Sequence, residues 1–455
     1  MGLHDFNEDT AELAERILKF TLERLKQDPP SLGGPVPPEI LLPKFNGVIT
    51  NKGLGGNKAF NFFENIVQPA TISTDHPRYL AFVTNAPSNT ASLFDLVVSA
   101  CSMYGGTWLE GSGVVAAENQ ALRFIMDMVG YPESAAGVFV SGGTAANLSA
   151  LIAARHWFRR VHPEMEKVRL ALACAPSAHT SIKHAAQAMD VDLLEIPGDE
   201  YNRLTPENLQ AALNSYSKED RDRLFCVVAT AGATNTGYVD ELNQTGKIAY
   251  DIDVWFHVDG AYGGAGMLCE STAPLFEGVT QADSFVVDPH KWLFSPYDCA
   301  ALIYKDPLDA RLAHAQHAEY LDVVNDTVEF NPSDYAHHLT RRARGLPLWF
   351  ALAVHGTDAF STAVTTCVDV SNEGGELIRK SEHLELVIEP QLSVILFRRK
   401  GWTGQDYTSW CNTLLENEFA FIVPTSFNGE TVIRLCITNP NTTVKDLELI
   451  IDSLA

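Results

Sequence analysis

Between about residues 110 and 305, short apolar runs alternate with helical stretches, and no other feature of the chain constrains its fold as much. The runs are "GVFV", "LALACA", "LFCVVA", "VWFHV" and "SFVV". Such alternation is the signature of a parallel sheet with covering helices. After about residue 345 the pattern changes. A helical "LPLWFALAVHG" is followed by "HLELVIEP", "SVILFRR", "FIVPTS" and "TVIRLCI", which predict a smaller α+β domain ending in a helix. The N-terminal "EDTAELAERILKFTLERLKQ" is a helix with two apolar stripes, Leu13/Ile17/Phe20 and Leu18/Leu22/Leu25. It is expected to pack against two surfaces, one of them on a partner chain. "DPPSLGGPVPPEILLP" then reads as a linker. The chain thus divides into residues 1–75, 76–345 and 346–455, in keeping with a length of 455 residues, which is long for one core.

Composition narrows the function. Hydrophobic residues make up 46% and charged residues 20%, a globular balance. No apolar run reaches membrane-spanning length, and the acidic start predicts no signal peptide. A net charge of −24 argues against nucleic acid or an anionic membrane as a partner. The eight cysteines are scattered without a CxxC pair, so neither a metal set nor a redox pair is expected, and a reducing cytoplasm is the simplest location.

Ligands of open α/β sheets bind beyond the carboxyl ends of the strands. The residues just past the five runs are Ser141-Gly142-Gly143-Thr144, then Pro176-Ser177-Ala178-His179, Thr230 to Thr234, Asp259-Gly260-Ala261-Tyr262 and Asp288-Pro289-His290-Lys291. Gly142-Gly143-Thr144 before a helix suits a phosphate, though a tight turn with a capping threonine explains it equally. His179 alone reads as a loop histidine. Asp259, directly after an apolar strand, needs a cation or several donors if it is buried. A lone lysine is normally surface. Lys291 is flanked by apolar runs, and desolvation there predicts a lowered pKa and a nucleophilic amine. Together, a phosphate cradle, a strand-end carboxylate, a ring stacker and an amine have one economical ligand, pyridoxal 5'-phosphate.

These residues resemble the group II pyridoxal-phosphate-dependent amino-acid decarboxylases, a family that includes aromatic-L-amino-acid, tyrosine and glutamate decarboxylases. The resemblance rests on "DPHKWL", "HVDGAYGG", "ATAGATNTG", "FVSGGTAANLSALIAAR" and "HPRYLAF", in order from about residue 76 to 350. It implies the type I, aspartate aminotransferase-like fold, a homodimer with active sites at the interface, and no nucleic-acid or membrane partner. It also implies roles. Lys291 carries the Schiff base, Asp259 pairs with the pyridinium nitrogen, and His179 stacks on the ring. Gly143, Thr144 and His290 hold or flank the phosphate, with Ser284 beside them. Thr234, Ala261 and Asp288 contact the cofactor, and Asn85 or Thr84 lies on the substrate side.

The implied reaction is α-decarboxylation of an L-amino acid to an amine. An acid must then protonate Cα. The family uses a loop tyrosine, and "EFNPSDYAHHLTRRARGLPLW" offers Tyr335, ahead of Arg341 and Arg342, at a shorter spacing than the family's. Tyr320 and His337 stand in reserve, and the arginines read equally as a surface pair. An aldehyde synthase, aminotransferase or carbon–carbon lyase of the same fold, or a silent cofactor-binding relative, are the alternatives. Phe82, Trp108 and Tyr79 could floor an aromatic pocket. Arg78 could meet an acidic substrate or solvent, and Arg434 could bind a carboxylate or bridge domains. The side-chain specificity is left open.

Overall fold

In the computed structural model, residues 3–316 and 330–455 are described. The middle of the chain forms a seven-stranded sheet from β1 (Ala136–Val140), β2 (Ala171–Cys174), β3 (Asp192–Glu195), β4 (Leu224–Thr230), β5 (Trp255–Asp259), β6 (Ser284–Val287) and β7 (Ala300–Tyr304). Their order is β1-β7-β6-β5-β4-β2-β3. β7 pairs antiparallel with β1 and β6, and the other pairs are parallel. The short return from β6 through Lys291 to β7 explains the exception, since a parallel return needs a longer crossover. Every residue of β2, β4, β5, β6 and β7 is buried, as expected of strands covered on both faces. β3, reading "DLLE", is an edge strand that the apolar runs did not announce.

The C-terminal part forms a second, antiparallel sheet from β8 (Leu384–Ile388), β9 (Val394–Arg399), β10 (Pro424–Phe427) and β11 (Glu430–Cys436), in the order β10-β11-β9-β8. The Thr357–Lys380 helix packs so close to this sheet and to the Val444–Asp452 helix that a Cβ on Gly374 would lie 2.6 Å from Ile395 of β9 and from Leu447 of that helix. The stretch after residue 76 is stitched to this small domain. Leu80 N and Ala81 N donate to Phe421 O (2.9 and 3.1 Å), and Cys436 N donates to Leu80 O (3.0 Å). Arg78 meets neither substrate nor open solvent: it stacks over Phe419 (4.4 Å) and lies 3.9 Å from Asp446.

The N-terminal helix, Glu8–Leu25, buries none of its residues fully. Phe20 packs edge-on against Phe60 and Phe63 at 5.5 and 5.8 Å, while Leu18 and Leu22 of the second stripe stay exposed. All eight cysteines are free thiols, and seven are buried. No described helix is long and apolar enough to cross a membrane.

One buried ion pair fixes the turn that leads out of the large domain. Arg341 is not a surface residue: its Nη1 and Nη2 reach Glu118 Oε2 and Oε1 at 2.6 and 2.9 Å, and both side chains are at most 2% exposed. Glu118 Oε1 also accepts from Gly345 N (2.8 Å). Arg342 pairs with Asp95 (2.7 Å). Removing one partner of such a pair strands a buried charge, whereas replacing both with apolar groups does not. Glu118→Ala is therefore expected to lower the unfolding free energy by about 3–5 kcal/mol, and Glu118→Leu with Arg341→Met to recover most of it. Denaturant titration checks this; a single-variant loss below about 1 kcal/mol contradicts it.

Candidate active site

The strand ends converge as the topology requires. β1 leads through Ser141 and Gly142 into the Gly143–Val161 helix, which has no side-chain cap at Gly142. Apart from Gly143 N, which Asp288 accepts, its first N–H groups have no side-chain acceptor among the described residues, and the positive end of a 19-residue helix faces the cavity. β2 leads to His179, which caps the Thr180–Ala188 helix. β4, β5 and β6 deliver Thr230, Asp259 and Asp288. A cavity of about 280 Å³ collects Ser141 to Thr144, His179, Thr234, Asp259, Ala261, Asp288, His290 and Lys291. A larger cavity of about 480 Å³ lies between Arg24, Asp75, Phe294 and Phe360 and contains none of these groups.

Lys291 follows Asp288 by three positions on the short turn Pro289–Trp292, so its Nζ folds back to Asp288 Oδ2 at 2.9 Å. This reverses the direction expected for its pKa. Burial pulls the ammonium down, but the adjacent Asp288 carboxylate outweighs it, and the value lies above that of an ordinary lysine. Asp288 Oδ2 also accepts from Gly143 N (3.2 Å), while Asp288 Oδ1 is buried without a partner among the described residues. Gly143 is needed at this contact, since a Cβ there would stand 3.0 Å from Asp288 Oδ2 and 3.2 Å from Ala261 Cβ.

Asp259 is 4% exposed. Its Oδ1 accepts from Ala261 N (3.0 Å) and its Oδ2 from Asn147 Nδ2 (2.7 Å). His179 Nδ1 takes hydrogen bonds from Ser181 N and Oγ (3.2 and 2.8 Å), which fixes the ring. His290 bonds Cys299 through Nδ1, and burial lowers its pKa despite Asp288. The donor set fits pyridoxal phosphate. An uncapped helix start suits a phosphate, an orphaned buried carboxylate oxygen awaits a donor, and a lysine sits between two carboxylates.

Several expected site residues lie elsewhere. Ser284 Oγ is turned into the sheet, bonded to Trp255 Nε1 and His257 Nδ1 (both 2.8 Å). Asn85 braces the lysine turn by donating to the carbonyls of His290 and Ser295, the latter at 2.7 Å. Thr84 donates to Thr74 O (2.5 Å). Tyr335, the expected proton donor, does not line the cavity. It is 8% exposed, stacks on Phe330 at 4.4 Å and packs into the core beneath the Gly143–Val161 helix. His337 does not line the cavity either, and Tyr320 lies outside the described residues. Trp108 starts a helix by donating its N–H to Asn331 (2.9 Å). Arg434 donates to Phe82 O (2.5 Å), and its Nε and Nη2 have no partner among the described residues. The cavity also contains Thr230, one of the expected strand-end residues, and Asn147, Tyr297 and Asp298, which sequence reading missed.

The comparisons meet this geometry. Residues 38–400 match the family described as the pyridoxal-dependent decarboxylase conserved domain. The chain belongs to that family. The aromatic-L-amino-acid decarboxylase of Bacillus atrophaeus is 30% identical over 90% of this chain and 87% of its own length. The L-2,4-diaminobutyrate decarboxylase of Acinetobacter baumannii is 26% identical over 77% of this chain and 72% of its own. The crystal structure of Oryza sativa TDC with PLP and tryptamine superposes with a TM-score of 0.91 at 22% identity, covering 100% of this chain and 99% of that one. A Rhodiola rosea 4-hydroxyphenylacetaldehyde synthase superposes at 0.87 with 21% identity, over 99% of this chain and 98% of its own, so the fold does not separate these chemistries. The family does. This chain is a carboxy-lyase that removes CO2 from an amino acid with pyridoxal 5'-phosphate as cofactor, and the aldehyde synthase alternative is not favoured.

Because Tyr335 is packed as core, Tyr335→Phe is expected to leave amine formation within about twofold of wild type with no rise in aldehyde, as for a conservative change that only removes a hydroxyl. Product analysis by chromatography checks this. A tenfold fall in amine with aldehyde accumulating returns Tyr335 to the mechanism.

Proposed function

We propose that the substrate is an aromatic L-amino acid, decarboxylated at a site where Lys291 holds the cofactor covalently and Asp259, His179 and the Gly143–Val161 helix start hold its ring and phosphate. When bound, pyridoxal phosphate supplies an electron sink conjugated to the amino acid's Cα. The protein does the rest. Asp259, held by Ala261 N–H and Asn147, keeps a proton at the ring nitrogen. His179 covers a ring face and limits how the substrate's Cα bonds can be set against it, which is orientation control. The helix-start N–H groups that follow Gly143, with the Thr144 hydroxyl, would hold the phosphate, with His290 at its flank. Asp288, 2.9 Å from Nζ, favours the protonated form of the free Lys291 amine.

The charge inventory of the cavity carries the substrate class. No arginine lines it among the described residues, and its one lysine is committed to the cofactor. Asp298, the remaining lining acid, is paired with Arg344. A second carboxylate or a second ammonium on the substrate therefore finds no free counter-charge. An aromatic group does find a complement. Tyr297 opens onto the cavity. Tyr79 packs against Phe421 at 5.0 Å, and Phe82, at φ 52 and 58% exposed, lies against the same ring. A bulky residue held in the left-handed region while presenting its ring to solvent is a mark of function. The aromatic-L-amino-acid decarboxylase similarity over 90% of the chain points the same way.

A homodimer completes this reading. Leu18 and Leu22 of the first helix, Leu93, Leu96 and Val97 of the Asn89–Ala100 helix, and Leu109 are all exposed, and a partner subunit would cover them.

Incubation of the purified protein with single amino acids, with CO2 and amine measured together, tests the proposal. Aromatic substrates should exceed glutamate and 2,4-diaminobutyrate in kcat/KM by at least about a hundredfold, the equivalent of leaving one charge unpaired at about 3 kcal/mol. Asp259→Asn should abolish most turnover with every substrate. Comparable turnover of glutamate overturns the substrate class, and an active Asp259→Asn overturns the role of that carboxylate.

A further inference from the structure

In the cavity wall, one amide is linked to both groups proposed to hold the ring, to Asp259 directly and to His179 through Ser181. Asn147 lies one turn into the Gly143–Val161 helix at 1% exposure. Its Nδ2 donates to Asp259 Oδ2 (2.7 Å) and to Ser181 Oγ (2.9 Å), and its Oδ1 lies 3.0 Å from His257 Nε2.

Hydrogens along this path run consistently in one direction, set by the Asp259 carboxylate, which accepts from Asn147 Nδ2 and so leaves Oδ1 to face His257. Trp255 Nε1 is a donor alone and gives its hydrogen to Ser284 Oγ (2.8 Å). The Ser284 hydroxyl then donates to His257 Nδ1 (2.8 Å). An imidazole that accepts at Nδ1 carries its hydrogen at Nε2 and donates it to Asn147 Oδ1. Burial pushes the His257 pKa down to about 4 against the pull of Asp259, so the ring is neutral near pH 7. With its oxygen occupied, the Asn147 amide must turn both N–H groups the other way. A flipped amide would set oxygen against the Asp259 carboxylate and N–H against the His257 N–H. Ser181 Oγ, having accepted from Asn147, passes its own hydrogen to His179 Nδ1 (2.8 Å).

We propose that Asn147 is a positioning residue, oriented by His257, that fixes with one amide both the Asp259 carboxylate and the His179 ring. This rests on the roles proposed above for Asp259 and His179. The amide's two hydrogens set the edge contact and the face contact of the cofactor ring relative to each other. His257, Ser284 and Trp255 act only through it, since none of them lines the cavity.

A double-mutant cycle on the full chain tests this, read by the dissociation constant for pyridoxal phosphate and by the visible circular dichroism of the bound cofactor. Asn147→Leu should weaken the cofactor about ten- to hundredfold, as for loss of a hydrogen bond to a charged group. His257→Phe should weaken it several-fold without touching the cavity, and should add nothing in the Asn147→Leu background. Both should diminish the dichroic band, which reports ring tilt. If Asn147→Leu does not fold, Asn147→Ala carries the cycle. Losses that multiply in the double variant, or that follow the fall in unfolding midpoint alone, overturn the proposal. Asp259→Asn separates the two levels. If it weakens the cofactor and Asn147→Leu does not, only the positioning role fails. If Asp259→Asn binds the cofactor like wild type, the reading beneath it fails as well.

Discussion

Two carboxylates and one ammonium share the buried end of the sheet, and the rest of the site depends on that imbalance. Asp288 and Asp259 are 1% and 4% exposed, and Lys291 reaches only the first directly, at 2.9 Å. Burying an anion without a full set of donors costs several kcal/mol. Asp259 has two donors, and Asp288 keeps one oxygen without a partner among the described residues. On the roles proposed above, a cationic ring nitrogen presented to Asp259 would meet that carboxylate's need. The anionic phosphate would be met at the helix start, by the N–H groups that follow Gly143. The cofactor's own charge pattern, positive at the ring and negative at the phosphate, is the complement of this cavity.

The fold holds that arrangement between buried strands and hydrogen-bonded turns. Each key residue sits at the end of a fully buried strand or just past it. Gly232, at φ 105, lets the end of β4 lie against the turn after β5: a Cβ there would come within 2.6 Å of Gly263 Cα. The Lys291 turn is tied down by Asn85 and by His290 on Cys299. The Glu118–Arg341 pair anchors the chain as it leaves the large domain. Preorganised groups in a dry site keep their electrostatic effect because they need not reorient during the reaction.

Much of this is legible in the sequence, for a physical reason. Strands buried on both faces appear as uninterrupted apolar runs, so β1, β4, β5 and β6 and the residues just past them can be read directly. β3 escapes because "DLLE" is only half-buried at the sheet edge and carries an acid at each end. Asn147 looks like an ordinary helix residue. Its signal is a polar side chain at a core position, between Ala146 and the buried Ala150 and Leu151. Flanking hydrophobicity alone misjudges the direction of the Lys291 pKa, because it leaves out the carboxylate three residues earlier. Tyr335 stands out only by its neighbours in the chain, and chain neighbours do not report which way a loop side chain turns. It turns into the core against Phe330.

The central claim is that Lys291 Nζ, and no other amine, bonds to the cofactor. Reduction of the yellow holoprotein with borohydride, followed by digestion and mass spectrometry, tests it directly. The account predicts one stable pyridoxyl-phosphate label, on the peptide that contains Lys291. A label on any other lysine, or no label on a protein that still decarboxylates amino acids, contradicts it.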